Sequence, residues 1–181
     1  MPADLEATNL LCIRQLFQGD ARMNPEIPII KRREIEARVI KPIFEEMVLK
    51  LGREAAISIL ESAIKRDAIA HGKSSGSSNM EQNDMPAFVK LYELWTAEDA
   101  LEIDIIEQTN QIFNFNVTGC LYAEMYQNMG ISELGSVLSC GRDKHFCGGF
   151  NPNLQLERTQ TIMRGADFCD FRYSLPKDDN G

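Results

Sequence analysis

The sequence predicts an α+β fold in which an N-terminal helical hairpin and further helices pack on a four-stranded antiparallel sheet. Two observations carry this. Apolar residues recur at spacings of three and four through residues 29–71 and again through 85–95, which is the period of an amphipathic helix. From residue 100 onward, two stretches rich in β-branched and aromatic residues read as hairpins, separated by a helical stretch. With 181 residues, 44% of them hydrophobic, the chain has apolar material for one domain over 1–181. Its helical half covers about 5–96, and a β-hairpin, two helices and a second β-hairpin cover about 100–175.

The elements follow in order. Leu5 to Phe17 has a loose helical pattern ending at Gly19. Ile30, Ile35, Val39, Ile40, Ile43, Phe44, Met47, Val48 and Leu51 predict a helix closed by Gly52. Pro42 offers no N–H to the Arg38 carbonyl, so a kink or restart is expected there. Ala56, Ile57, Leu60, Ala63, Ile64 and Ala68 predict a second helix from Arg53 to His71, stopping at Gly72. Residues 72–84 are rich in Ser, Gly and Asn and read as a mobile loop able to move over a pocket. Asp84 is placed to cap a helix with Pro86 in its first turn, presenting Phe88, Val89, Leu91, Tyr92, Leu94 and Trp95 to the core. The alternation of Leu101, Ile103 and Ile105, followed by Ile112, Phe113, Phe115 and Val117, predicts a hairpin from Ala100 to Thr118. Thr118 would cap a helix to Met129, and Ser132 a further one to Phe146. Leu154–Met163 and Phe168–Tyr173 would pair around Arg164–Asp167. With Met163 opposite Phe168, Thr161/Asp170 and Thr159/Arg172 share one face and Ile162/Cys169 and Gln160/Phe171 the other. The tail from Pro176 is expected to fray.

A net charge of −8 and a pI near 4.8 provide no summed positive field for phosphate backbones or anionic lipid, so neither nucleic acid nor membrane is an expected partner. No apolar run approaches the roughly 20 residues of a membrane span, and residues 1–6 do not begin a secretory signal. A cytoplasmic location is the expectation. Five scattered cysteines (Cys12, Cys120, Cys140, Cys147, Cys169) read as thiols, not a disulfide framework.

Side chains able to do chemistry concentrate between Cys120 and Arg172, in three clusters. Cys120-Leu121-Tyr122-Ala123-Glu124 places a thiol in a first helical turn, where the dipole can lower its pKa, with Glu124 four residues on. In Cys140 to Cys147, Cys140, Asp143 and Cys147 share one helix stripe. His145 reads as a surface histidine, and with His71 the only other one, a histidine-based triad has few candidates. In Arg158 to Arg172, consecutive polar residues on a strand cannot all face solvent, so some point toward a pocket.

Cys120-x-Tyr122-Ala123-Glu124, Leu138-x-Cys140-x-x-Asp143, Phe150-Asn151-Pro152, Arg158-Thr159-Gln160-Thr161-Ile162-Met163-x-Gly165 and Cys169-Asp170-Phe171-Arg172 together resemble the L-2-amino-thiazoline-4-carboxylic acid hydrolase family. The resemblance spans about 30–173, and its threonine-rich strand, glycine turn and Cys-Asp-Phe-Arg string are the most specific part. It implies hydrolytic opening of a cyclic isothiourea to N-carbamoyl-L-cysteine, with no organic cofactor. Cys120 or Cys169 would then be the nucleophile, and Asp143, Asp170 or Glu124 the base or the group that orients the amidine. Arg158 or Arg172 would hold the substrate carboxylate, and Tyr122, Cys140, Gln160 and Thr161 would line the site. The expected partners are a small-molecule substrate and a second copy of the chain. Two alternatives stay open: a zinc ion on Cys120, Cys140 and Cys169 with Asp143 or Asp170, and a carrier without catalysis, since the layout also resembles the 4-vinyl-reductase-like binding domains.

Overall fold

The computed structural model describes residues 27–176; the expected helix over 5–17, Cys12 and residues 177–181 lie outside the described residues. The chain forms helices α1 (Ile29–Leu51), α2 (Arg53–Ser75) and α3 (Met85–Thr96), then strands β1 (Leu101–Gln108) and β2 (Ile112–Cys120). Helices α4 (Leu121–Asn128), α5 (Ser132–Gly135) and α6 (Gly141–Phe150) follow, with a π-helical turn at Ser136–Cys140 between the last two. Strands β3 (Gln155–Glu157) and β4 (Cys169–Ser174) complete an antiparallel sheet of order β1-β2-β4-β3. The fold is α+β, with helices on a four-stranded antiparallel sheet.

Only Gly52 separates α1 from α2, at φ 85°, a conformation that side chains resist. Helix α1 runs through Pro42 without restarting: one hydrogen bond is forfeited, but Phe44, two residues on, is buried and holds the helix to the core. The buried face of α1 is Ile29, Ile30, Arg33, Ala37 and Phe44, whereas Ile35 and Val39 are each 57% exposed. The apolar pattern of this helix therefore has members on both sides.

Helix α2 does not stop at Gly72 but continues to Ser75. A Cβ on Gly72 would overlap the Phe146 carbonyl oxygen and lie 2.7 Å from Phe150 N, and one on Gly149 would overlap the Ile69 carbonyl. These glycines let α2 and α6 cross backbone against backbone, so Gly148-Gly149 lies inside α6 instead of ending it.

Residues 76–83 are fastened. Asn83 Oδ1 accepts from Ser77 N at 2.6 Å, Asn83 Nδ2 donates to Phe150 O at 3.0 Å, and Asn151 Nδ2 donates to Asn83 O at 2.9 Å. The polar composition taken for mobility is used to tie the turn to the end of α6. Asp84 caps α3 as expected, accepting from Ala87 N at 2.9 Å. Phe88 and Tyr92 enter the core, but Leu94 is 54% exposed.

Along β2 and β4, Phe113, Phe115 and Val117 pair with Tyr173, Phe171 and Cys169 on the buried face. Phe115 and Phe171 stack at 5.0 Å. Asn114, Asn116, Asp170 and Arg172 occupy the opposite face. On β1 the alternation holds for Leu101 and Ile103, but register shifts after Glu102 and Ile105 leave Ile105 and Ile106 exposed. The sheet's buried face packs with α3 and α6 in one apolar cluster; a second lies among α1, α2, α4 and α5; Cys120 packs against both. Among the described residues, no helix is long and apolar enough to cross a membrane.

The C-terminal hairpin differs from the expected ladder. β3 has three residues, Glu157 pairs with Arg172, and the chain then leaves the sheet for a 3₁₀ turn at Ile162–Arg164 and Gly165. The Asp170 carboxylate explains the departure. It accepts from Thr159 Oγ1 (2.6 Å), Thr159 N (3.0 and 3.1 Å) and Gln160 N (2.8 Å), holding backbone that a strand would have paired. Burial works to raise the Asp170 pKa, but the bonds from Thr159 and Gln160 outweigh it and hold the carboxyl below its ordinary value. Asp170→Ala is therefore expected to destabilise the protein by about 1–3 kcal/mol at pH 7 in a urea titration. A depressed folded-state pKa gives stability that is full above the unfolded value near 4 and lost as pH falls through the folded one. The difference between wild type and variant should shrink with acidification; a pH-independent difference would deny Asp170 this role.

Candidate functional site

The strand-to-helix junction is made by Cys120 itself. Its Sγ accepts from Ala123 N at 3.4 Å, so the thiol is the N-cap of α4, and Thr118, expected to cap, is exposed at the end of β2. Burial pushes the Cys120 pKa up to about 11, and the Ala123 amide offsets this only in part. Burial thus outweighs the lowering expected from the helix terminus and favours the protonated thiol. Cys140 is raised to about 12, by burial first and the nearby Asp143 charge second. Cys169 is also raised by burial, and its Sγ accepts from Ile162 N at 3.2 Å. Cys147 is a buried core thiol.

Ser132 caps nothing; Ile131 precedes α5, and no side chain caps it. The π turn that follows fits one extra residue into the helix, and Ser139 within it and Arg142, Asp143 and Phe146 beyond it line one cavity. Arg158, where the chain leaves β3, reaches the same place. Its Nη1 donates to Asp143 Oδ2 at 2.5 Å, its Nη2 to Cys140 O at 2.9 Å, and its guanidinium lies 4.7 Å over the Phe171 ring. Burial raises the Asp143 pKa and Arg158 opposes it, while Asp143 outweighs the burial of Arg158 and keeps the guanidinium charged.

The cavity has two narrow lobes, with about 30 and 40 Å³ of interior space open to a water-sized sphere. Tyr92, Trp95, Tyr122, Ser139 and Asp143 border both. One lobe adds Cys120, Cys140, Cys169 and Arg158; the other adds Arg33, His71, Arg142 and Phe146. Tyr122 Oη donates to Trp95 O at 3.3 Å and joins α4 to α3 across the cavity. The His71 ring packs edge-on to Phe146 at 5.2 Å, and burial, with Arg33 and Arg142 adding to it, lowers its pKa and keeps it neutral at pH 7.

The structure thus brings together six of the sequence candidates: Cys120, Tyr122, Cys140, Asp143, Arg158 and Cys169. It does not bring the other five. Glu124 is exposed on α4. Asp170 and Arg172 lie on the far face of β4, where Arg172 Nη1 donates to the Phe115 and Phe171 carbonyls and Nη2 to Asn116 Oδ1. Gln160 donates to Phe168 O at 3.0 Å. Thr161 is buried but lines neither lobe. His145 is a surface residue beside Lys65 and Lys144, as read. Sequence reasoning missed Arg33, Trp95, His71 and Arg142 as wall residues. The spacing of Ser139, Arg142, Asp143 and Phe146 at i, i+3, i+4 and i+7 was the available signal for Arg142. Among the described residues, no three His, Cys, Asp or Glu side chains are grouped to hold a metal ion.

Fold and cavity define an α+β protein whose helical layer and sheet enclose an aromatic pocket with a part-buried ion pair on its wall. Residues 32–173 match the family model described as L-2-amino-thiazoline-4-carboxylic acid hydrolase, and the chain belongs to that family. No curated protein matches the chain significantly. Among solved structures, the phenol-responsive sensory domain of the transcription activator PoxR, crystallised with phenol, is similar over 76% of this chain and 73% of that one, at 12% identity and a TM-score of 0.43.

Proposed function

We propose that this chain is a hydrolase that opens a cyclic isothiourea of the L-2-amino-thiazoline-4-carboxylate type in the cavity centred on Asp143. The observation that carries the reading is the Asp143–Arg158 pair, held where two lobes meet, in a member of this hydrolase family. A carboxylate paired with a guanidinium can, in its ionised form, accept a hydrogen bond from the amidine and take a proton from water. The water oxygen bonds to the ring carbon between nitrogen and sulfur, and the carbon–sulfur bond breaks. One water proton ends on the ring nitrogen and the other on the departing sulfur, so one water is consumed and N-carbamoyl-L-cysteine is released. Water is the nucleophile in this scheme. Cys120 is protonated and occupied as a helix cap, and Cys169 accepts a backbone amide bond, so both serve as wall residues.

The test follows N-carbamoylcysteine by mass spectrometry for wild type, Cys120→Ala and Cys169→Ala. All three are expected to form product, the variants within about 10-fold of wild type. Turnover abolished in either variant, with thermal unfolding unchanged, would replace water by that thiol. A wild type that forms no product would refute the hydrolase reading.

A further inference from the structure

We infer that the lobe walled by Arg33 and Arg142 is an anion subsite that takes the substrate's carboxylate; its ligand class rests on the hydrolase reading above. The chain carries a net charge of −8, yet the cavity walls hold three guanidinia, from Arg33, Arg142 and Arg158, against the single carboxylate of Asp143. Two arginines expected to bind a carboxylate are otherwise engaged. Arg158 has both terminal nitrogens on protein acceptors, and Arg172 is clamped on the far face of the sheet. Arg33 differs. Its side chain is 8% exposed, its Nη1 donates to Glu36 Oε2 at 2.5 Å, and its Nη2 and Nε have no acceptor among the described residues.

Arg142 comes to the same Glu36 oxygen, at 3.9 Å, while its Nη1 pairs with Asp67 and its Nε donates to Leu138 O at 2.9 Å. Two guanidinia therefore converge from within the protein on carboxylates that are part-exposed, Glu36 at 32% and Asp67 at 61%. A buried guanidinium with an unused donor pair beside a cavity fits a planar, two-oxygen acceptor. A carboxylate bound there would leave the attached ring at the wall shared by both lobes, where Asp143 lies.

Trp95 is the only tryptophan of the chain and borders both lobes, so its fluorescence reports occupancy without turnover. The experiment titrates wild type, Arg33→Gln and Arg33→Lys with L-2-amino-thiazoline-4-carboxylate and with 2-amino-2-thiazoline, which lacks the carboxylate. The affinity ratio of the acid over the carboxylate-free compound is expected to fall about 10-fold or more in Arg33→Gln. In Arg33→Lys, which keeps the charge but not the fork, it should fall about 3-fold; this variant carries the comparison should Arg33→Gln not fold. An unchanged ratio, or no response of wild type to the acid, overturns the subsite. Arg33-dependent binding of the acid by a protein that makes no N-carbamoylcysteine would uphold the subsite and sink the hydrolase reading. Turnover with a KM indifferent to Arg33 would do the reverse.

Discussion

Asp143→Asn is expected to lower kcat for L-2-amino-thiazoline-4-carboxylate by about 10²–10⁴-fold, the range for loss of a positioned general base. Asparagine keeps the volume and can still accept from Arg158, but it neither takes a proton nor balances the guanidinium. The part-buried Arg158 then has only the Cys140 carbonyl and the Phe171 ring face. Removing one partner of a fully buried pair costs about 3–5 kcal/mol; this pair is part-buried, so the cost should be smaller, and the variant should unfold at somewhat lower urea. Combining Asp143→Asn with Arg158→Gln separates the two effects: with no unpaired charge left, stability should recover while turnover does not. The pH profile supplies an independent check. Burial raises the Asp143 pKa against the pull of Arg158, and the base works only when ionised. kcat/KM should therefore fall as pH drops through a value above the ordinary aspartate range. An Asp143→Asn enzyme within a few-fold of wild type would remove this carboxylate from the chemistry.

The fold class was legible because helix period and strand composition survive in the chain. The misreadings share one physical cause: a residue's local preference was overridden by a contact made from far away. Gly72 looks like a helix stop but permits a helix crossing; Thr118 looks like a cap, yet the thiol two residues on accepts the amide bond. Asp170 looks like a site carboxylate in a long strand, but its four bonds end that strand at Glu157. The site was legible where its residues sit close in sequence, as with Cys140, Asp143 and Arg158. Arg33, His71 and Trp95 reach the cavity from three separate helices. In sequence, Arg33 is one basic residue among several on α1, and Trp95 is one apolar residue on a core face.

Gly72→Ala tests the crossing on which half of the cavity depends. Helix propensity alone predicts a gain of about 1 kcal/mol, since alanine is the better helix former. Packing opposes it. The new Cβ would overlap the Phe146 carbonyl and sit 2.7 Å from Phe150 N, and these are backbone atoms that cannot rotate aside. Helix α6 would have to move away from α2, and overpacking of this kind costs about 3 kcal/mol at the upper end of its usual range, so the net expectation is a loss of about 2 kcal/mol. For a domain of this size that corresponds to a fall in Tm of roughly 4–8 °C. Gly148→Ala is the control: it lies on the same helix, exposed and with nothing within 4 Å, and should be neutral or slightly stabilising. His71, next to Gly72, and Phe146 both wall the Arg33–Arg142 lobe. A displaced α6 should therefore also raise KM in Gly72→Ala and leave it unchanged in Gly148→Ala. Equal Tm values for the two variants would mean that α2 and α6 do not approach as closely as this crossing requires.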